Sequence, residues 1–256
     1  MNMKTIDLNC DLGESFGAYT NLMQMDSLIL PHITSANIAC GFHAGDPVVI
    51  KKTVEQAVKN GVALGAHPGL PDLQGFGRRN MKITPEEAES LVIYQVGALQ
   101  AFAHSAGTEL NHVKPHGALY NMAATDFELA KAIARGIKKC SKNLIFVCLY
   151  GSCMVQAAED ENIKYACEVF ADRAYQENGL LVPRSQPGAV ITDEKKAIDR
   201  SIKMVTESKV TSITGKEISV QADTICVHGD NPKAVEFVKS IHAEFVNHGI
   251  EVKSIR

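Results

Sequence analysis

Residues 6–17 read IDLNCDLGESFG. A short apolar run of this kind reads as a buried strand, Thr5–Asn9. Yet Asp7, Asn9, Asp11 and Glu14 bring three carboxylates and an amide into it or just beyond it. An ionised group buried without a partner costs several kcal/mol, so these side chains require mutual hydrogen bonds, cations, a metal or a substrate. How the rest of the chain supplies such partners decides between two folds.

Similar runs recur at Ser35–Cys40, Val62–Ala66, His112–Lys114, Leu144–Leu149, Tyr165–Phe170 and Thr224–Val227. Helical segments separate them. Asp46-Pro47 opens one that stops at Asn60-Gly61, with an N-cap, a proline in the first turn and a terminal glycine. Thr84-Pro85-Glu86-Glu87 is a capping box for a helix running to Gly107, with Leu91, Gln95, Ala98 and Phe102 at helical spacing. Thr125 and Glu128 repeat the box before LAKAIARGIKKC, and Asn231-Pro232 opens a last helix that closes at Gly249. Ile250–Ile255 then reads as a final strand.

Strand followed by helix, repeated about seven times, predicts an α/β fold with a parallel sheet covered by helices. An open doubly wound sheet and a closed barrel both satisfy that pattern. A doubly wound sheet concentrates its polar residues at one switch point, whereas here nearly every strand ends in polar or reactive side chains. The expected fold is therefore a TIM-like (β/α) barrel, seven-stranded and irregular. The chain shows no repeat, linker or low-complexity tract, so a single domain over 1–256 is expected. Two irregular stretches, Pro68–Lys82 and Gln176–Val190, exceed ordinary connections and read as functional loops or lids.

Composition excludes some functions. The 256 residues are 45% hydrophobic and 21% charged, with a net charge of -3 and no basic stripe, which argues against nucleic acid. Seven cysteines, odd in number and without C-x-x-C spacing, predict reduced thiols. No secretory leader or membrane-length apolar run is evident, so a cytoplasmic protein without membrane contact is expected.

In a barrel the C-terminal strand ends share one face. The first strand contributes Asp7, Asn9, Asp11 and Glu14; the second Asn37 and, in ACGFHAGDP, His43 and Asp46; the third His67. Lys114 and His116 follow in HVKPHGALYN, Glu168, Asp172 and Arg173 in CEVFADRAY, and His228 and Asp230 in VHGDNP. A single histidine before a helix is often a cap or a packing residue, but four at four strand ends, flanked by Gly or Pro, point to a shared site. His32, His104, His112, His242 and His248 fall off this pattern and read as surface or packing residues. Asp11 with His43, His67 and His116 suits a divalent metal, Zn, Mn or Mg, that would activate water. A metal-free alternative keeps Asp and His as general acid and base while Lys114 and Arg173 hold an anionic substrate. Asp72–Arg79, DLQGFGRR, reads as a mobile loop whose Arg78 and Arg79 could close over a carboxylate or phosphate, or pair with local acids. Neither phosphate-binding glycine motif is present, and no Cys or Ser stands out as a covalent nucleophile.

DLNCDLGESFG, ANIACGFHAGDP, GAHPGLPDLQGFGRR, VKPHGALYN, ADRAYQENGLLVPRSQPGAVI and VHGDNP, in that order and spacing, resemble the LamB/YcsF family over residues 4–252. The resemblance implies a seven-stranded (β/α) barrel from a superfamily that includes carbohydrate deacetylases and sugar hydrolases. It further implies one component of an enzyme that opens 5-oxo-L-proline to L-glutamate with ATP hydrolysis, alongside partner subunits B and C. On that reading Asp7, Asn9, Asp11, His43, His67, Lys114, His116, Asp172 and His228 serve catalysis, while Glu14, Asn37, Arg78, Arg79 and Arg173 bind substrate. The alternatives are a stand-alone metal-dependent amide or carbohydrate hydrolase and a non-catalytic, substrate-delivering subunit.

Overall fold

Alternation decides the first strand. Ile6, Leu8, Cys10 and Leu12 are fully buried toward the helices, and Asp7, Asn9 and Asp11 point the other way. The strand runs farther than the apolar pattern suggested, β1 spanning Thr5–Leu12. The computed structural model describes residues 4–17, 21–227 and 234–255.

After β1 come α1 (Asn21–Ile29), β2 (Ser35–Ala39), α2 (Pro47–Lys59), β3 (Ala63–His67), α3 (Pro85–Ser105), β4 (His112–Val113) and α4 (Gly117–Ala123). The second half comprises α5 (Phe127–Cys140), β5 (Ile145–Leu149), α6 (Cys153–Asp160), β6 (Tyr165–Phe170), α7 (Glu194–Glu207), β7 (Lys209–Thr211), β8 (Glu217–Ser219), β9 (Thr224–Cys226), α8 (Ala234–Asn247) and β10 (Glu251–Val252). Strands β1 to β6 and β9 pair in parallel in that order, and β9 returns to β1 through Asp7 opposite Thr224. The result is a closed seven-stranded barrel ringed by helices, as expected. β10 adds to the outer start of β1, and β7 and β8 form a separate antiparallel hairpin.

The helix punctuation acts much as read. Asp46 accepts from the Val48 and Val49 amides, and Thr84 with Glu87 completes its capping box. Two details differ. The α5 cap is Asp126, which accepts from the Leu129 amide, while the Thr125 hydroxyl donates to the Met122 carbonyl, so the predicted second box does not form. The buried stripe of α3 runs through Val92, Gln95, Val96, Leu99 and Ala103 rather than Leu91, Ala98 and Phe102, because α3 is covered by α5 as well as by the barrel. The proposed Asn231-Pro232 opening of α8 lies outside the described residues. All seven cysteines are free, and no helix among the described residues is long and apolar enough to cross a membrane.

The barrel interior is polar, and it is built in tiers. At the strand starts Asp7 accepts from Thr34 Oγ1 (2.7 Å), Ser35 Oγ (2.6 Å) and Thr224 Oγ1 (2.5 Å). In the middle, Asn9 Oδ1 accepts from Asn37 Nδ2 (2.7 Å), and Asn37 Oδ1 from His112 Nε2 (2.8 Å). Gly65 makes room for that imidazole: a Cβ there would stand 2.0 Å from His112 Nε2. The upper tier opens into the site.

Candidate active site

Lys114 follows β4 directly and reaches across the barrel. Its ammonium lies 2.8 Å from Glu168 Oε1, 3.0 Å from Asp11 Oδ1, 3.3 Å from Asn9 Oδ1 and 3.1 Å from Cys226 Sγ. Burial alone would push this ammonium down. Asp11, Cys226 and Glu168 outweigh it, and the Lys114 pKa stands well above its ordinary value. The opening stretch has its cation: Asp11 is held by Lys114 and by Asn37 Nδ2 at 2.8 Å.

Gly13, in the left-handed region at φ +70°, turns the chain after β1 and brings Glu14 over the barrel mouth. There it meets three buried imidazoles. His43 and His116 are stacked 3.6 Å apart with their planes at 2°, and His67 stands edge-on to both. His67 Nδ1 is 2.6 Å from the Lys114 carbonyl, and His116 Nε2 is 2.8 Å from the Phe76 carbonyl. A carbonyl only accepts, so those two nitrogens carry the ring protons. In the neutral rings His67 Nε2 and His116 Nδ1 are then bare lone pairs, and they face each other at 3.0 Å. Asp11 Oδ2 is 3.3 Å from His67 Nε2, and Glu14 Oε1 is 3.4 Å from His116 Nδ1 and 3.1 Å from His43 Nε2.

Burial first, then the neighbouring imidazoles, push His43 and His116 well below the usual histidine range, so both are neutral near pH 7. The His67 Nε2 and His116 Nδ1 lone pairs thus converge with the Glu14 carboxyl, and His43 Nε2 stands beside them. This is the donor chemistry of a divalent metal. One ligand atom from each of Glu14, His43, His67 and His116 lies within 4.8 Å of all the others, and His43 Nδ1 has no hydrogen-bond partner. The residues fit a Zn- or Mn-like ion. Glu14, expected to hold substrate, joins the histidines in this set, and Asp11 borders it while engaged with Lys114.

A pocket of about 480 Å³ opens beside the cluster, with Asp11, His67, Lys114 and His116 in its wall. Arg78, Arg173 and Arg184 also line it, giving the mouth a cationic rim. Burial, then the charge of Arg184, lowers the Arg173 pKa to about 10; its guanidinium donates to the Val182 carbonyl at 2.7 Å.

Other predicted site residues lie elsewhere. Asp7 is at the barrel floor, locked by three hydroxyls, about 13 Å of strand below Asp11. Asn9 and Asn37 belong to the middle tier, under the pocket. Arg79 turns back onto Asp72, which also accepts from the Gly75 amide at 3.0 Å; of the two predicted arginines in this loop only Arg78 lines the pocket. The loop is packed onto the histidines. Phe76 packs edge-on against His43 and His116 at 5.6 and 5.3 Å, making the segment part of the histidine wall. Asp172 is absent from the pocket lining and acts on Arg173 and Arg200. His228 and Asp230 lie outside the described residues. His112 is a packing residue of the barrel interior, not a surface one. Pocket residues that sequence reasoning missed include Tyr120, which reads as one more apolar position of a short helix, and Arg184, hidden in a Pro/Gly-rich loop.

The family model described as LamB/YcsF family matches residues 6–256. The chain is 60% identical over 247 residues to the 5-oxoprolinase A subunit of Coprothermobacter proteolyticus, covering 96% of this chain and 94% of that one. It is 55% identical over 250 residues to the same-named protein of Clostridium beijerinckii, covering 98% and 97%. The crystal structure of the lactam utilization protein from Thermus thermophilus superposes with a TM-score of 0.92 at 45% identity, over 98% of this chain and all of that one.

Proposed function

The chain belongs to the LamB/YcsF family, and from that membership we propose that it is the A subunit of a 5-oxoprolinase and holds the chamber in which 5-oxo-L-proline is opened to L-glutamate. The relatives' names support the lactam substrate. The convergence of His67 Nε2, His116 Nδ1 and Glu14 Oε1 beside an arginine-rimmed pocket carries the chemistry. A lactam is a stable amide, so opening it needs a polarised carbonyl, a positioned water and a proton for the leaving nitrogen. A divalent ion bound by Glu14, His43, His67 and His116 would supply Lewis acidity and a water of lowered pKa.

The chain's own groups do the rest. Asp11, in the pocket wall, stands as acceptor for the proton of the attacking water. Lys114 fixes Asp11 and adds a buried positive charge beneath the reacting carbonyl. Arg78 and Arg173 supply the charge to hold the substrate carboxylate or a phosphoryl group on the lactam oxygen. ATP hydrolysis, which offsets the unfavourable ring-opening equilibrium, belongs in this reading to the assembled enzyme with subunits B and C.

The test is glutamate release from 5-oxo-L-proline and ATP by the reconstituted complex, with elemental analysis of the purified chain. His67→Ala and Asp11→Ala should abolish product while retaining the wild-type circular dichroism spectrum. Near-normal turnover in both would defeat the assignment. Amide hydrolysis by the chain alone, without ATP or partners, would instead identify a stand-alone hydrolase.

A further inference from the structure

Tyr120 sits on α4 with its hydroxyl deeply buried, lines the same pocket as Asp11, His67 and Lys114, and has no partner at hydrogen-bond distance. A buried polar atom without a partner costs about 1–3 kcal/mol, and such atoms call for an explanation. Phenylalanine would fill the same space, edge-on to Phe170, without that cost. The acceptor that faces this hydroxyl is the Glu168 carboxylate, which with burial raises the Tyr120 pKa, and Glu168 Oε2 likewise has no partner at hydrogen-bond distance.

An inventory of protons in the pocket explains the hydroxyl. The three N–H groups of Lys114 meet four acceptors, so none is spare. The His67 and His116 protons are committed to carbonyls. The lining arginines do not release protons near neutral pH, and the side-chain amides are not acids. Thr125 and Ser185 are exposed residues at the rim. Among the described pocket residues, the buried and uncommitted O–H is that of Tyr120.

We propose that Tyr120 is a catalytic proton donor, its hydroxyl passing a proton to the ring nitrogen as the lactam C–N bond breaks. This rests on the lactam-opening reading above. Water oxygen bonds to the acyl carbon, and its proton goes to the Asp11 carboxylate. The C–N electron pair stays on nitrogen, which takes the Tyr120 proton, and the tyrosinate is restored by the proton lifted from water. Overall one water is added and nothing is oxidised or reduced.

Tyr120→Phe in the assembled complex tests the role. The expected result is a fall in kcat of about 10²-fold or more, a KM within threefold of wild type, and a melting temperature equal to or above wild type because the deleted oxygen has no partner at hydrogen-bond distance. A kcat within threefold of wild type would overturn the proposal. So would a KM increase at constant kcat, which marks a binding residue, or a kcat loss matched by a lowered melting temperature, which marks a structural one. Absence of glutamate release from the wild-type complex would remove the lactam reading, and the donor role with it.

Discussion

Replacing Lys114 by methionine keeps the stem and deletes one charge, leaving two carboxylates in the barrel without their cation. At 2.8 Å from Glu168 and 3.0 Å from Asp11, each attraction is on the order of 5–6 kcal/mol at an effective dielectric constant of about 20, before desolvation is subtracted. Removing one partner of a buried pair typically costs about 3–5 kcal/mol. For a chain of this size that is a fall in melting temperature of roughly 6–20 °C. The pH dependence is the sharper signature. In the wild type the raised Lys114 pKa keeps its contribution fully present below the unfolded lysine value, so it is constant from pH 5 to 8. In K114M the stranded carboxylates hold protons in the folded state that the unfolded chain releases, and stability must fall as pH rises over that range. Urea unfolding at pH 5.5 and 8.0 reads both effects. Adding Glu168→Gln should restore at least about 1 kcal/mol at pH 8, since it removes one stranded charge. A K114M variant within about 1 kcal/mol of wild type at both pH values would refute the view of Lys114 as the cation that holds the barrel acids.

Two further perturbations probe the rim. Burial raises the Asp26 pKa to about 7, against the hydrogen bond it accepts from the Gly13 amide. The folded state therefore keeps a proton that the unfolded state loses, and stability drains as pH climbs from about 4 to 7. Asp26→Asn preserves an acceptor and should gain about 1–2 kcal/mol at pH 8 while flattening that slope in pH-dependent urea titrations; an unchanged slope would reject it. Gly77, at φ +62°, lies where a Cβ would stand 2.7 Å from His43 Cβ and 2.8 Å from His116 Cδ2. Gly77→Ala should cost about 1–3 kcal/mol and weaken Zn binding at least tenfold by isothermal titration; wild-type affinity would show that the histidines do not need this close approach.

The barrel was legible because each of its strands is an apolar run closed off by caps, glycines or prolines, and because polar residues end nearly all of them. The β7–β8 hairpin was not. Its strands are three residues each, with Val210 alone fully buried, so no period accumulates. Arg78 and Arg79 show a different limit. Neighbours in sequence, they diverge because Asp72 is positioned by the turn at Phe76 and Gly77, both at positive φ, to capture the second guanidinium. Composition alone cannot say which of two adjacent arginines finds a local acid.

The three polar residues of β1 carry the general lesson. A period of two puts Asp7, Asn9 and Asp11 inside the barrel together, and the sequence supports all three as one class. Their roles separate by height, at about 6.6 Å per step. Height has meaning only through the register of the neighbours: Asp7 sits opposite Thr224 and below Ser35, which is level with Asn9, while Asp11 stands level with Asn37. Asp7 therefore meets hydroxyls and ends as a floor, whereas Asp11 meets an ammonium and an imidazole and ends in the pocket wall. Register is fixed by strand pairs between 26 and 217 residues apart, and no local pattern in IDLNCDLGESFG records it. The same reasoning sets Glu14, two residues past the strand, among the histidines: only a chain that turns at Gly13 directs that carboxylate back over the barrel mouth.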